Sequence, residues 1–205
     1  MDDSSFPYYS IMMNIIIWDS RGALKPSFQS DVRELITKYD LAILVIMETH
    51  IGGDRAKEIT DRLPFQGAIH TDMIGYVGGL WLLWNADQVE VSNLTSNEQE
   101  IHAIVKVNSS NLSWLFSAIY ASPRFRERCL LWNNLSNVAH KLIIYCGLLV
   151  VTLMRCYLVM RSLVAGLLFP LEPYCSRNAW MIAIWLILDS KVPDLHGLTS
   201  MISLL

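Results

Sequence analysis

Acidic residues nearly vanish from the last third of this chain: of 19 Asp and Glu in 205 residues, Glu172, Asp189 and Asp194 alone fall in residues 140–205. Basic residues are no more plentiful, 16 against those 19. The net charge of −3 excludes a whole-protein electrostatic footprint for nucleic acid, so any DNA contact has to be local. Cysteine is scarce, and Cys129, Cys146, Cys156 and Cys175 lack metal-ligand spacing, which argues against a thiolate metal site and for a reduced compartment. No apolar run reaches bilayer length: Leu142–Met154 is uncharged but short, Arg155 and Arg161 interrupt its continuation, and Ala179–Leu188 is shorter still. The opening M-D-D-S-S is acidic where a secretory signal is basic, so the Asn93-Leu94-Thr95 and Asn111-Leu112-Ser113 acceptor patterns carry little weight. What abounds is apolar surface, 53% of residues with mean hydropathy +0.33, enough for one domain with a sizeable core, or a domain plus a remnant.

Leu41–Met47 is a continuous branched apolar run of strand length, as expected of a strand buried on both faces, and Glu48 comes directly after it. Met12–Trp18 is a similar run, closed by Asp19-Ser20-Arg21-Gly22. Between them, Val32, Leu35 and Ile36 sit at helical spacing within Phe28–Tyr39, and a short polar helix is expected over Asp54–Leu63, stopped before Pro64. This β-α-β-α order indicates a layered α/β domain. Five strand-like runs come next, Gln66–Thr71, Gly79–Trp84, Val89–Leu94, Ile101–Val107 and Ser113–Tyr120, whose short polar connections suggest antiparallel pairing. Arg124–Ala139 reads as a helix, with Pro123 at its start.

Asp19, Glu48 and Tyr120 fall at the ends of expected strands, and Arg124 opens the helix after the last of them. Taken singly, each has an ordinary structural reading: a solvated carboxylate, a core aromatic with one wet edge, a solvated helix face shared with Arg126 and Arg128. Taken together, they offer two carboxylates for a divalent ion, a phenol, and a guanidinium for an anion, a set suited to metal-assisted phosphodiester hydrolysis.

The segments W-D-S-R-G-A at 18–23, M-E-T at 47–49, G-G-L-W at 78–81, E-I-H-A-I-V at 100–105 and A-I-Y-A-S-P-R-F-R-E-R-C-L-L-W at 118–132 resemble the endonuclease domain of plant LINE-type (non-LTR) retrotransposons, within the endonuclease/exonuclease/phosphatase superfamily. The resemblance runs from about Met12 to Ala139. It implies an α/β (α+β), DNase I/apurinic-endonuclease-like four-layer sandwich of mixed sheets flanked by helices, here incomplete, and DNA nicking with Mg²⁺ or Mn²⁺. It also implies DNA as partner, bound weakly, and a nuclear setting; no obligate protein partner is inferred. Position by position, it makes Glu48 and Tyr120 catalytic, Glu48 as the family's metal-ligating Glu and Tyr120 as the Tyr that contacts the phosphate region; with the strand-end set above, Asp19 joins Glu48 as a candidate metal ligand, and Asp19 and Arg124 are the candidate substrate-binding residues. Asp19 stands where the family has the Asn of W-N-C-R-G, Ser20 where it has Cys, and His50 where a basic residue is usual. An Asp at 19 would repel a scissile phosphate.

Beyond Ala139 the departure is larger. The family continues with G-D-F-N and ends with S-D-H, and neither motif occurs in this chain. Reading the tail one base out of register restores the family's order. Val151–Cys156, encoded as GTG ACT TTA ATG AGG TGC and read one base earlier behind a G, becomes G-D-F-N-E-V. By the same shift Lys191–Thr199 yields G-P-R-F-T-W-S-N, and Asn178–Asp189 is compatible with C-L-D-D-C-N-M-V-D-L-G. The codons are chosen among synonyms, but the visible residues fix two bases of nearly every shifted codon. Three agreements in one frame point to a frameshift near His140. The chain then divides into an N-terminal extension (1–11), the N-terminal part of the endonuclease domain (12–139), and an out-of-frame apolar tail (140–205). Such a tail is expected to integrate poorly; without the family's later strands the sheet edge beside Ser113–Tyr120 is expected to be left unpaired, with generic apolar contact from the tail as the alternative cover. The leading expectation is an inactive, truncated endonuclease domain. A non-enzymatic remnant with weak cation or partner binding, and a small membrane-associated protein using residues 142–171, stay open as alternatives.

Overall fold

The computed structural model describes residues 13–74, 77–110, 113–122, 124–142, 149–154, 183–187 and 198–204. In chain order the elements are β1 (Met13–Asp19), α1 (Phe28–Tyr39), β2 (Leu41–Met47), α2 (Gly53–Thr60), β3 (Gly67–His70), β4 (Met73–Ile74), β5 (Val77–Gly78), β6 (Leu80–Trp84), β7 (Val89–Asn97), β8 (Glu100–Val107), β9 (Ser113–Ile119), α3 (Phe125–Leu142), β10 (Leu149–Met154), β11 (Ala183–Ile187) and β12 (Leu198–Leu204). Among the described residues these strands make a sheet ordered β12-β1-β2-β6-β3, a second ordered β11-β10-β9-β8-β7, and a small β4-β5 ribbon. Both larger sheets are mixed: β1 runs parallel to β2 and β10 parallel to β9, while β2–β6 and β8–β9 are antiparallel.

Side-chain alternation sorts the residues into layers. Ile15, Ile17, Ile43, Val45, Leu80 and Leu82 of the first sheet meet Ile101, Ala103, Val105, Trp114, Phe116 and Ala118 of the second in one buried core. On the far face of the first sheet, Ile16, Leu44, Ile46, Trp81 and Leu83 pack against α1 and α2 through Phe28, Val32, Leu35 and Ala56. Phe28, Val32 and Leu35 recur at the spacing of one helix face, and the Phe28 ring stacks on Trp18 at 5.4 Å and meets Trp81 edge-on at 5.9 Å. On the far face of the second sheet, Ile119 and Ala121 pack against Leu131, Trp132 and Leu135 of α3. The result is a four-layer α-β-β-α sandwich with two sheets flanked by helices. Because β2 is covered on both faces, all seven of its residues are buried, as its unbroken apolar run requires.

One expectation needs correction. The edge beside β9 is not left open: β10 pairs with it in parallel, from Leu149↔Leu115 to Thr152↔Ala118, and β11 pairs with β10. On the other sheet β12 lies antiparallel along β1. The physical reason is that a strand edge carries a row of backbone donors and acceptors, which L-V-V-T-L-M, rich in β-branched and apolar residues, is suited to satisfy whatever its origin. Among the described residues no helix is long and apolar enough to cross a membrane. Most of the 142–171 stretch considered for membrane association lies outside the described residues.

Candidate active site

Glu48 owes its direction to a break in the β2–β6 ladder. Met47 pairs with Leu80, but the next carbonyl along, that of Gly79, accepts the N–H of Thr49 at 3.2 Å, and Gly78 accepts that of His50 at 3.0 Å. Glu48 is therefore the extra residue of a bulge, a feature that re-aims a side chain at the end of a strand. Its φ of +51° is in the left-handed region, uncommon for a residue with a Cβ and a cost found most often at functional positions. His50 shares that conformation at +55° and its side chain is exposed.

Tyr120 approaches from the other sheet. It comes directly after β9, its backbone N–H is held by the carbonyl of Gln99 at 2.8 Å, and its hydroxyl donates to Glu48 Oε1 at 3.1 Å. Residues 72 positions apart are thus joined by a buried hydrogen bond that spans the sandwich. Tyr120 is 3% exposed and Glu48 8%, so both residues of the pair are buried. Asp19 ends β1, in register with Met47 on the neighbouring parallel strand, and so lies at the same sheet end. Its Oδ1 accepts the N–H of Arg21 at 3.1 Å, and the Arg21 guanidinium is 3.9 Å from Oδ2. Ser20, at the position where Cys is expected by resemblance, clips the two strands together: its N–H and hydroxyl both donate to the Met47 carbonyl at 3.0 Å.

Arg124 is turned to a local task. It is 62% exposed and donates to Glu127 Oε1 at 2.9 Å within the first turn of α3. Glu127 also accepts from the Ser122 hydroxyl, and these two hydrogen bonds, Ser122 first, hold its carboxyl below the usual range. Arg128 donates to the Ser122 carbonyl at 2.9 Å. The structure thus brings Glu48 and Tyr120 together, sets Asp19 at the same sheet end, and engages Arg124 at the helix start.

A hard divalent cation is held through oxygen, and Mg²⁺ commonly uses only one or two carboxylates, keeping waters and taking substrate phosphate for the rest. The donor types at Glu48 and Asp19 fit that chemistry. Among the described residues no group of three or more His, Cys, Asp or Glu is arranged to hold a metal.

A second polar cluster lay hidden in E-I-H-A-I-V. Glu100 and His102 alternate with the core residues of β8 and point outward, beneath α3. His102 Nε2 lies 3.0 Å from Glu100 Oε2 and Nδ1 lies 2.7 Å from the Ser117 hydroxyl. Asn134 of α3 donates to Glu100 Oε1 at 2.8 Å, and Asn97 donates to the same oxygen. Burial pushes the Glu100 carboxyl up, but the hydrogen bonds from His102, Asn134 and Asn97 outweigh it and hold the group below the usual range. With Ser117, His102 and Glu100 at 0%, 1% and 2% exposure, this acid–His–Ser chain fastens α3 to its sheet and is sealed from substrate. Strict strand alternation was the signal that would have put it under the helix.

No family model matches the sequence, and no curated protein matches it. Among solved structures, the chain is similar to the AP endonuclease LMAP from Leishmania major, with a TM-score of 0.51 at 12% identity over 69% of this chain and 52% of that one. It is also similar to an endonuclease/exonuclease/phosphatase family protein from Bacteroides thetaiotaomicron (TM-score 0.46, 10% identity, 62% of this chain and 58% of that one). A third neighbour is the endonuclease domain of TRAS1, a telomere-specific non-LTR retrotransposon (TM-score 0.45, 11% identity, 63% of this chain and 53% of that one). The fold, two mixed sheets flanked by helices, is the DNase I-like fold of that AP endonuclease. The chain spans between 52% and 58% of the length of these three structures.

Proposed function

We propose that this chain carries half of a metal-dependent phosphodiesterase site, derived from a plant LINE-type retrotransposon endonuclease, which binds a divalent cation weakly at Glu48 and does not nick DNA. The observation that supports this reading most is the buried Tyr120–Glu48 hydrogen bond, which joins the two sheets at one end of the sandwich. A bound Mg²⁺ or Mn²⁺ would neutralise phosphate charge and acidify a water. Of the protein groups, Glu48 would hold the ion, Asp19 would help at the cost of repelling a phosphate, and the Tyr120 hydroxyl would face the phosphate once the ion draws Glu48 away. Removal of a water proton needs a further placed base. Val151–Met154 (V-T-L-M) stands where the shifted frame would read G-D-F-N, so neither that motif's carboxylate nor its amide is in place. Groups that act as a unit fail as a unit, with losses of several orders of magnitude. A frameshift near codon 140 accounts for that loss.

The test is relaxation of supercoiled plasmid DNA with Mg²⁺ or Mn²⁺, alongside Mn²⁺ binding followed by electron spin resonance. The expected result is weak Mn²⁺ binding lost in Glu48→Ala, with no nicking by either protein. Robust nicking abolished by Glu48→Ala would overturn the reading.

A further inference from the structure

We infer that Gly78-Gly79 is a positioning element that aims the Glu48 carboxylate and seats the Tyr120 ring; the inference rests on the cation-binding reading above. The carbonyls of these two residues receive the N–H groups of His50 and Thr49, the contacts that force Glu48 out of the ladder. Gly79 has a φ of +85°, and a Cβ there would run into the Thr49 hydroxyl oxygen and lie 3.2 Å from the His50 nitrogen. Gly78 has a φ of +94°, and a Cβ there would rest 3.4 Å from Cε1 of Tyr120. Both conformations are ones that residues with a Cβ rarely adopt. Thr49 is itself fully buried, and its hydroxyl donates to the Ile51 carbonyl at 3.3 Å, so it cannot swing aside without cost. One dipeptide therefore neighbours both members of the pair: it holds the bulge that carries Glu48 and leaves, at Gly78, the space beside the Tyr120 ring that a side chain would fill. A side chain at 79 would push the 49–51 segment outward and rotate the carboxylate away from the phenol.

The experiment uses the full chain with ring-¹³C tyrosine, read by nuclear magnetic resonance with and without Mn²⁺. In the wild type, Mn²⁺ should selectively broaden the Tyr120 signal. In Gly79→Ala, the Tyr120 signal should move in the metal-free protein, the Tyr39 signal on α1 should stay, and Mn²⁺ affinity should fall at least about tenfold, as for residues that orient a ligand. Adding Thr49→Ala to Gly79→Ala should recover part of both effects, because it removes the atom the new methyl strikes. If Gly79→Ala does not fold, Gly78→Ala takes its place, with the Tyr120 shift expected to be the larger change. An unmoved Tyr120 signal with unchanged Mn²⁺ affinity in the variant would overturn the inference. Absence of Mn²⁺ broadening in the wild type would overturn the cation reading instead, and the metal-free Tyr120 shift would then decide the positioning role by itself.

Discussion

At the residue scale, Glu48 combines two costs, a left-handed backbone and burial at 8% exposure, and the hydrogen bond donated by Tyr120 offsets part of the second. Such a residue is retained for chemistry or by inheritance, since a Gly or Asn would sit in that backbone more easily. Glu48→Gln keeps the acceptor for the Tyr120 hydroxyl and loses the charge. It should change stability by less than about 1 kcal/mol, because one neutral hydrogen bond replaces a charge-assisted one. Mn²⁺ binding should be lost in the same variant. Chemical denaturation and spin resonance on one sample check both halves. Tyr120→Phe should cost more, about 1–2 kcal/mol, because it leaves a buried carboxylate without that donor. The Tyr–Glu pairing was foreshadowed in the sequence, where both residues close apolar strand runs. The bulge was not, because it depends on Gly78 and Gly79 arriving from β6's side of the ladder.

At the element scale, α3 is held by both apolar and acid-sensitive contacts. Leu131 and Leu135 pack on Ile119 and Ala121, while Glu100–Asn134 and Glu127–Ser122 add hydrogen bonds to carboxylates. Glu100 and Glu127 are held below their ordinary value of 4.5 in the folded protein. Groups depressed on folding bind more protons when unfolded, so their stabilisation is complete above that value and is lost as pH falls through the folded one. His70 is lowered from its ordinary 6.5, chiefly by burial against Trp81, and it contributes in the same direction at higher pH. The urea midpoint should therefore decline in two stages on acidification, first below about pH 6.5 from His70 and then below about 4.5 from the two carboxyls. Glu100→Gln should flatten the second stage. Glu100→Ala should cost about 3 kcal/mol at neutral pH, because several buried partners are left unsatisfied at 1–3 kcal/mol each. The strength of this attachment was not legible from E-I-H alone, since its partners Ser117 and Asn134 are brought by β9 and α3.

At the scale of the whole molecule, β10 closes the edge beside β9 that loss of the family's later strands was expected to leave unpaired, and β12 pairs along β1. Val151 sits mid-strand in β10, opposite Ser117 on one side and Ile184 on the other. Val151→Pro removes a ladder donor and should lower stability by about 2 kcal/mol or more, measured by thermal unfolding. An unchanged midpoint would show that β10 does not contribute to the fold. Restoring the upstream reading frame in the gene, together with Asp19→Asn, should return G-D-F-N in place of Val151–Met154 and bring back Mg²⁺-dependent plasmid nicking. The repaired protein without Asp19→Asn should nick more slowly, because a carboxylate facing a phosphate raises the barrier.

The sequence by itself determined the layers. The unbroken run of β2 and the three-to-four spacing in α1 each state how many faces an element buries. It also determined which side chains stand at strand ends, hence Asp19, Glu48 and Tyr120. The tertiary structure decided what those ends meet. Pairing across sheets depends on register and on the stacking of two cores, which no local period encodes. For that reason Tyr120 reaches Glu48 over 72 residues of chain, while Arg124, only four residues beyond Tyr120, is spent on Glu127 at the start of its own helix.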